Sequence, residues 1–258
     1  MPSAGTPGKK GLLIKIAAVA FLLVVWEAAA LLEHAQIILP SPLETLRKLG
    51  ILLISEDFWS AVGATVLRGL VGFFISFLAG IAVGIASGAS SLIRSAVSPL
   101  LTVLRATPVM SVILLALIWF AAGWVPVFVA FLMVFPIVCG NVIEGIRSTD
   151  RNLLDMARVY LIPQRRVVSG IYLPSIVPYL VAALSTSLGI TWKVVIAAEV
   201  LSQPLHAVGT GLELAKYRLD TAEVFAWTAV AILLSALSEG ALGWAERRIP
   251  WRRDSVGY

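Results

Sequence analysis

Five ionisable residues stand inside or at the ends of long apolar runs: Glu27, Arg68, Arg105, Lys193 and Glu199. A charge in such a setting is expensive, so each needs a partner, a route to water, or a role toward something that passes it. Glu27 and Arg105 lie near run ends and can snorkel, while Arg68 opens a run as an interfacial anchor or ion-pair partner. Lys193 and Glu199 lie deeper. Thr186, Gly189 and Lys193 fall on one helix face by steps of three and four, with Ser187 and Thr191 nearby and Trp192 and Glu199 on another face. A helix carrying a polar stripe and a lysine turns it toward a water-filled path, where a positive charge suits an anion. The alternatives are a structural pair between Lys193 and an acid, and bonding of Glu199 to a loop or to Arg68. Thr186, Ser187, Lys193 and Glu199 are the candidate path residues, together with Met110 and Ser111, where Pro108 loosens a helix.

Other chemistries find no support. The chain has no G-x-x-x-x-G-K-[ST] phosphate loop, and the small-residue stretch from Gly84 to Ser91 lacks the lysine. Hydrolysis of ATP by this polypeptide alone is not expected. Cys139 is the single cysteine and lies in an apolar run; with only His34 and His206 beside it in the inventory, neither a disulfide nor a zinc site can be assembled. No Ser/His/Asp or paired-carboxylate arrangement stands out, so the chain is read as neither an enzyme nor a cofactor carrier.

The elements that must position these residues follow from composition. Of 258 residues, 59% are apolar and 14% charged, with a mean hydropathy of +0.93. Soluble domains carry roughly 25% charged residues, which excludes an ordinary soluble enzyme and a disordered chain. The net charge of +5 is read as marking one side of a membrane rather than a nucleic-acid surface. Long apolar runs in lipid must be helices. Runs at 16–32, 69–86, 171–200 and 221–242, with the uncharged stretch 106–143 divided near Gly123–Pro126, predict an all-α protein of six membrane spans. The first is read as a retained span rather than a cleaved signal. With the N-terminus inside, inner segments hold Lys9, Lys10, Lys15, Arg94, five arginines from Arg147 to Arg166, and Arg247, Arg248, Arg252 and Arg253. Outer segments hold only Arg47, Lys48, Lys216 and Arg218. The bias predicts cytoplasmic tails at 1–15 and 247–258, one transmembrane domain at 16–246, and a cytoplasmic loop at 147–170.

Two segments outside the spans look helical. Ser41-Pro42 with Glu44 is a capping signal for a short outer helix. In the long inner loop, Ser148 or Thr149 can cap a helix with Leu153, Leu154, Ala157 and Leu161 on one face, ended by Pro163. Such a helix lies on the membrane or docks into a groove on a soluble partner. Gly80, Gly84 and Gly88 form GxxxGxxxG, for close packing inside one subunit or at a dimer seam.

The loop residues Asp155-Met156-Ala157, Leu161, Pro163 and Ile171-Tyr172-Leu173-Pro174 resemble in spacing the EAA loop of permease subunits of binding-protein-dependent ABC importers. Leu39-Pro40-Ser41-Pro42, Leu67-Arg68-Gly69, Ala106-Thr107-Pro108, Trp119-Phe120 and Ala197-Ala198-Glu199-Val200 are similar, in order, to the branch importing sulfonates, taurine and nitrate. The resemblance implies a type I importer permease fold in a bacterial inner membrane. It implies a homodimer whose loop helices (coupling helices) are held by two cytoplasmic ATPase subunits carrying ATP and Mg, with an outside binding protein delivering cargo. It assigns Asp155, Met156, Ala157, Leu161, Pro163, Ile171, Leu173 and Pro174 to ATPase coupling. Leu161 stands where glycine is usual, and the turn is expected to form around Leu161–Pro163 without a left-handed residue. The cargo expected is a sulfonate or taurine; nitrate, bicarbonate or an uncharged pyrimidine-type vitamin precursor are the alternatives. A secondary transporter or channel, or a membrane scaffold, are the competing classes.

Overall fold

The structure is a computed structural model and describes residues 9–33 and 38–248. His34 and the tails at 1–8 and 249–258 lie outside the described residues. The elements are α1 (Lys9–Glu33), α2 (Pro42–Leu53), α3 (Glu56–Ala89), α4 (Ser91–Ala106), α5 (Val109–Trp119), α6 (Val125–Arg147), α7 (Arg151–Val159), α8 (Gln164–Val167), a π-helical turn (Val168–Tyr172), α9 (Leu173–Ser202), α10 (Val208–Tyr217) and α11 (Thr221–Arg248). Among the described residues, Glu56–Ala89, Val125–Arg147, Gln164–Ser202 and Thr221–Ala245 are long and apolar enough to cross a membrane. Ala17–Leu32 is a shorter apolar helix. Around the expected start of the third span at Ala106 stand two helices, α4 and α5, bent by 99°. Pro108 disfavours helical backbone at Thr107, which is extended at φ −72° and ψ 126°.

The described residues form two compact units, those up to Trp59 with Gly211–Ala229, and Ser60–Thr210 with those from Val230 to Arg248. The second unit is built on α6. Its buried Val125 and Val129 pack with Val112 and Ile113 of α5 and Val194 and Val195 of α9. Val134, Val138 and Val142 pack with Phe73 of α3 and Ala183 of α9. The glycine stripe of α3 is used within the chain: a Cβ on Gly80 or Gly84 would come within 2.8 or 2.6 Å of the Val138 or Val142 side chain. Arg105, in the last turn of α4, donates to the Pro136 carbonyl at 2.8 Å. It passes over Gly140, where any side chain would collide with the guanidinium.

In the first unit, Ser41 caps α2 by accepting the Glu44 N–H at 3.2 Å, and Pro42 opens the helix. Trp26 donates from its indole to the Pro40 carbonyl at 3.0 Å and meets the Phe225 ring at 5.4 Å. Asp220 holds α2 to the start of α11, accepting from the Glu223 N–H at 3.1 Å and pairing with Lys48. Burial opposes the charged form of Asp220, but the hydrogen bonds from Lys48 and the Glu223 N–H and the charges of Lys48 and Arg218 hold its carboxyl below the ordinary 3.8. The bond to Asp220 lifts Lys48 above 10.5 against a smaller effect of burial. The Asp220 contribution is therefore present above 3.8 and lost as pH falls through the depressed value; that of Lys48 is full below 10.5 and lost as pH rises through the raised one. A part-exposed pair is worth about 0–1 kcal/mol. Lys48→Gln should reduce neutral thermal stability by no more than about 1 kcal/mol and flatten its decline on acidification. An acid decline as steep as that of the native chain would contradict this role.

Candidate functional site

The loop joining α6 to α9 is positioned by caps and prolines. Its helix α7 is capped by Asp150, which accepts the Asn152 N–H at 2.8 Å. This corrects the expectation of Ser148 or Thr149: Ser148 already closes α6, with its N–H bonded to the Glu144 carbonyl at 2.8 Å. A second correction concerns Leu161, which is left-handed at φ 50°. The turn is a Schellman motif, with the Leu161 N–H on the Arg158 carbonyl at 3.1 Å and the Ile162 N–H on the Ala157 carbonyl at 2.9 Å. Two satisfied carbonyls and the bar that Pro163 sets on helix at Ile162 outweigh a left-handed penalty of about 1–2 kcal/mol. A second leucine, Leu219, ends α10 by the same pattern at φ 56°.

The faces of α7 differ. Ala157 is buried, 3% exposed, whereas Leu153, Met156, Val159 and Tyr160 are open and Leu161 is 88% exposed. Grooves flank Leu161, one lined by Met156, Tyr160, Pro163 and Ile171, the other by Leu154, Ala157, Pro163 and Tyr172. Asp155 is exposed and bonded to Arg158 on its own helix at 3.0 Å. After Pro163 the backbone widens into the π turn, where the Leu173 N–H reaches the Val168 carbonyl. Pro174 has no N–H and its ring would press on the carbonyl four residues back, so the wider turn relieves the conflict. That proline inside a helical stretch was the available signal for the π turn. Leu173 is exposed and Ile171 and Pro174 are partly buried.

The candidate path residues separate. Met110 and Ser111, in the first turn of α5, are exposed, as are Thr186 and Lys193 on α9. Ser187 and Glu199 are fully buried inside the second unit. Glu199 accepts from Thr65 Oγ1 at 2.9 Å, Arg68 Nη1 at 2.9 Å and the Gly209 N–H at 3.2 Å. Thr65 Oγ1 accepts in turn from the Val208 N–H at 2.9 Å, and Arg68 also donates to the His206 carbonyl at 2.8 Å. Side chains of α3 and α9 thus supply the cap that α10 lacks in its own sequence. Glu239 of α11 is an additional charge on the open side: its Oε1 lies 3.1 Å from where a Cβ on Gly189 would be. In sequence it only marks the end of an uncharged stretch. No group of His, Cys, Asp and Glu among the described residues could hold a metal ion.

Residues 76–250 match the family described as binding-protein-dependent transport system inner membrane components. The chain belongs to that family. With its long apolar helices, it is a multi-pass inner-membrane permease of the ABC importer class. The taurine transport system permease protein TauC of Escherichia coli is 28% identical over 96% of this chain and 93% of its own. The putative aliphatic sulfonates transport permease SsuC of Bacillus subtilis is 26% identical over 96% and 89%, and the nitrate import permease NrtB of a Synechocystis strain is 30% identical over 75% and 72%. A solved inward-facing MetNI methionine ABC transporter shares the fold at a TM-score of 0.61 and 16% identity, over 75% of this chain and 98% of that one.

Removing Glu199 leaves the Gly209 N–H without its acceptor and Arg68 with only the His206 carbonyl. Glu199→Ala should lower stability by about 3–5 kcal/mol, the range for breaking a buried pair, while Glu199→Gln, which keeps acceptor capacity, should lose less. Thermal unfolding in detergent measures both, and equal losses would contradict the capping role.

Proposed function

We propose that this chain is the pathway-forming subunit of an ATP-driven importer of a small organic anion, with a sulfonate or taurine as cargo. It works as a homodimer of six-span subunits with cytoplasmic termini. Two separate ATPase subunits, carrying ATP and Mg, hold the two α7 helices, and an outside binding protein docks on residues 39–54 and the loop at 203–220. ATP-driven closure moves the loops as rigid bodies and alternates the access of the cavity. The TauC and SsuC names support the cargo.

The observation that carries this reading is the outward apolar face of α7, with Leu161 88% exposed at the apex of a hydrogen-bonded turn. A short amphipathic helix on a proline-bounded arm suits the helix-in-groove mode of partner recognition. Lys193, exposed in the apolar α9, supports an anionic cargo.

Two substitutions at one position test the reading. Leu161→Gly relieves the left-handed strain and should stabilise the permease by up to about 1–2 kcal/mol, while weakening capture of the ATPase subunits because an apolar contact is lost. Leu161→Asp should abolish capture. Co-purification with the ATPase, read beside melting temperature, separates the two effects. Undiminished capture by Leu161→Asp, or sulfonate uptake into vesicles without ATP, would overturn the proposal.

A further inference from the structure

The open side of α9 carries more than a lysine. Ser185, Thr186, Gly189 and Lys193 follow one another at helical spacing, and Ser185, Thr186 and Lys193 are exposed. The Glu239 carboxylate reaches across from α11 to Gly189, with Oε1 3.1 Å from the position a Cβ would take. Both helices are long and apolar enough to cross a membrane, and Glu239 is itself exposed. Among the described residues, no hydrogen bond or ion pair engages Lys193 or Glu239.

Gly189 and Lys193 are four residues apart, about 6 Å of helix rise. The Glu239 carboxylate thus lies against α9 about one turn from the backbone position of Lys193, on a face with two hydroxyls. Two unsatisfied charges facing lipid would be prohibitive, so the face must meet water or a charged passenger. A passenger with one negative group would meet Lys193 favourably and Glu239 unfavourably. A passenger carrying an ammonium and an anionic group a few bonds apart meets both favourably, because each charge faces its opposite and both form charge-assisted hydrogen bonds. Gly189 is the opening that lets the carboxylate lie against α9.

We infer that Lys193 and Glu239, across Gly189, form a subsite for a zwitterion such as an aminoalkanesulfonate, with Lys193 receiving the sulfonate, Glu239 the ammonium, and the Ser185 and Thr186 hydroxyls beside them. The inference rests on the reading of this chain as the path for a small sulfonate, and it narrows that class to cargo bearing an amine. It makes Glu239 a specificity residue that disfavours simple alkanesulfonates by leaving the carboxylate unpaired against them.

The test uses the purified full-length permease in nanodiscs, without ATPase or binding protein, and follows binding of 2-aminoethanesulfonate and ethanesulfonate by saturation-transfer NMR. The native chain should prefer the amino compound by about tenfold or more. Glu239→Gln should remove that preference, Lys193→Gln should weaken both ligands, and Gly189→Ala, which crowds the carboxylate, should reduce the preference with the fold intact by size-exclusion elution. A preference kept in Glu239→Gln, or no preference in the native chain, would overturn the subsite. ATP-driven uptake in proteoliposomes with the full complex is measured separately. Its absence would sink the importer reading while leaving the binding result to decide the subsite.

Discussion

A backbone amide in hydrocarbon has no water to turn to, and this constraint governs where the chain may depart from helix. Each departure is made where another group takes over. At Thr107-Pro108 the proline has no N–H to strand, and Arg105 anchors the end of α4 on the Pro136 carbonyl. At Val168–Tyr172 the ladder widens around Pro174 instead of breaking. Outside the apolar spans, at Leu161, the carbonyls of Ala157 and Arg158 are likewise both taken up. At the end of α9, Gln203 turns left-handed at φ 45° with its N–H on the Glu199 carbonyl, and the Glu199 side chain receives the first turn of α10.

The same constraint separates two kinds of membrane charge. Glu199 and Arg68 are fixed by several partners each, and those bonds place the start of α10. Lys193 and Glu239 stand on an exposed face. A buried network held by several bonds gives one arrangement, whereas exposed charges can exchange partners. The α3–α6 seam is tight, with α3 glycines set against α6 valines.

Much of this was legible in the sequence, for reasons particular to each residue. Long uncharged runs can only be helices in lipid, and Ser41-Pro42 with Glu44 specifies a helix start by local hydrogen bonding alone. The partnership of Glu199 with Arg68 was among the alternatives because two buried charges seek each other. What escaped depended on tertiary competition. Ser148, Thr149 and Asp150 all have capping side chains, and only the end of α6 decides that Ser148 is already used. The left-handed turn at Leu161 is hidden from local sterics, because the two hydrogen bonds that offset its penalty form only in the folded turn. The bend between α4 and α5 was hidden because apolar composition is uniform through it, and Glu239 because its neighbour Gly189 lies on another helix.

The central claim is that α7 faces the cytoplasm and is gripped there by a separate ATPase. Cys139 is the only native cysteine and is buried, so a cysteine introduced at the exposed position 161 reports without background. In the assembled transporter, Leu161→Cys should cross-link to lysines of the ATPase subunit through a short thiol- and amine-reactive reagent and should resist a membrane-impermeant maleimide added to intact cells. Labelling of that cysteine from outside, with no cross-link to the ATPase, would contradict the account.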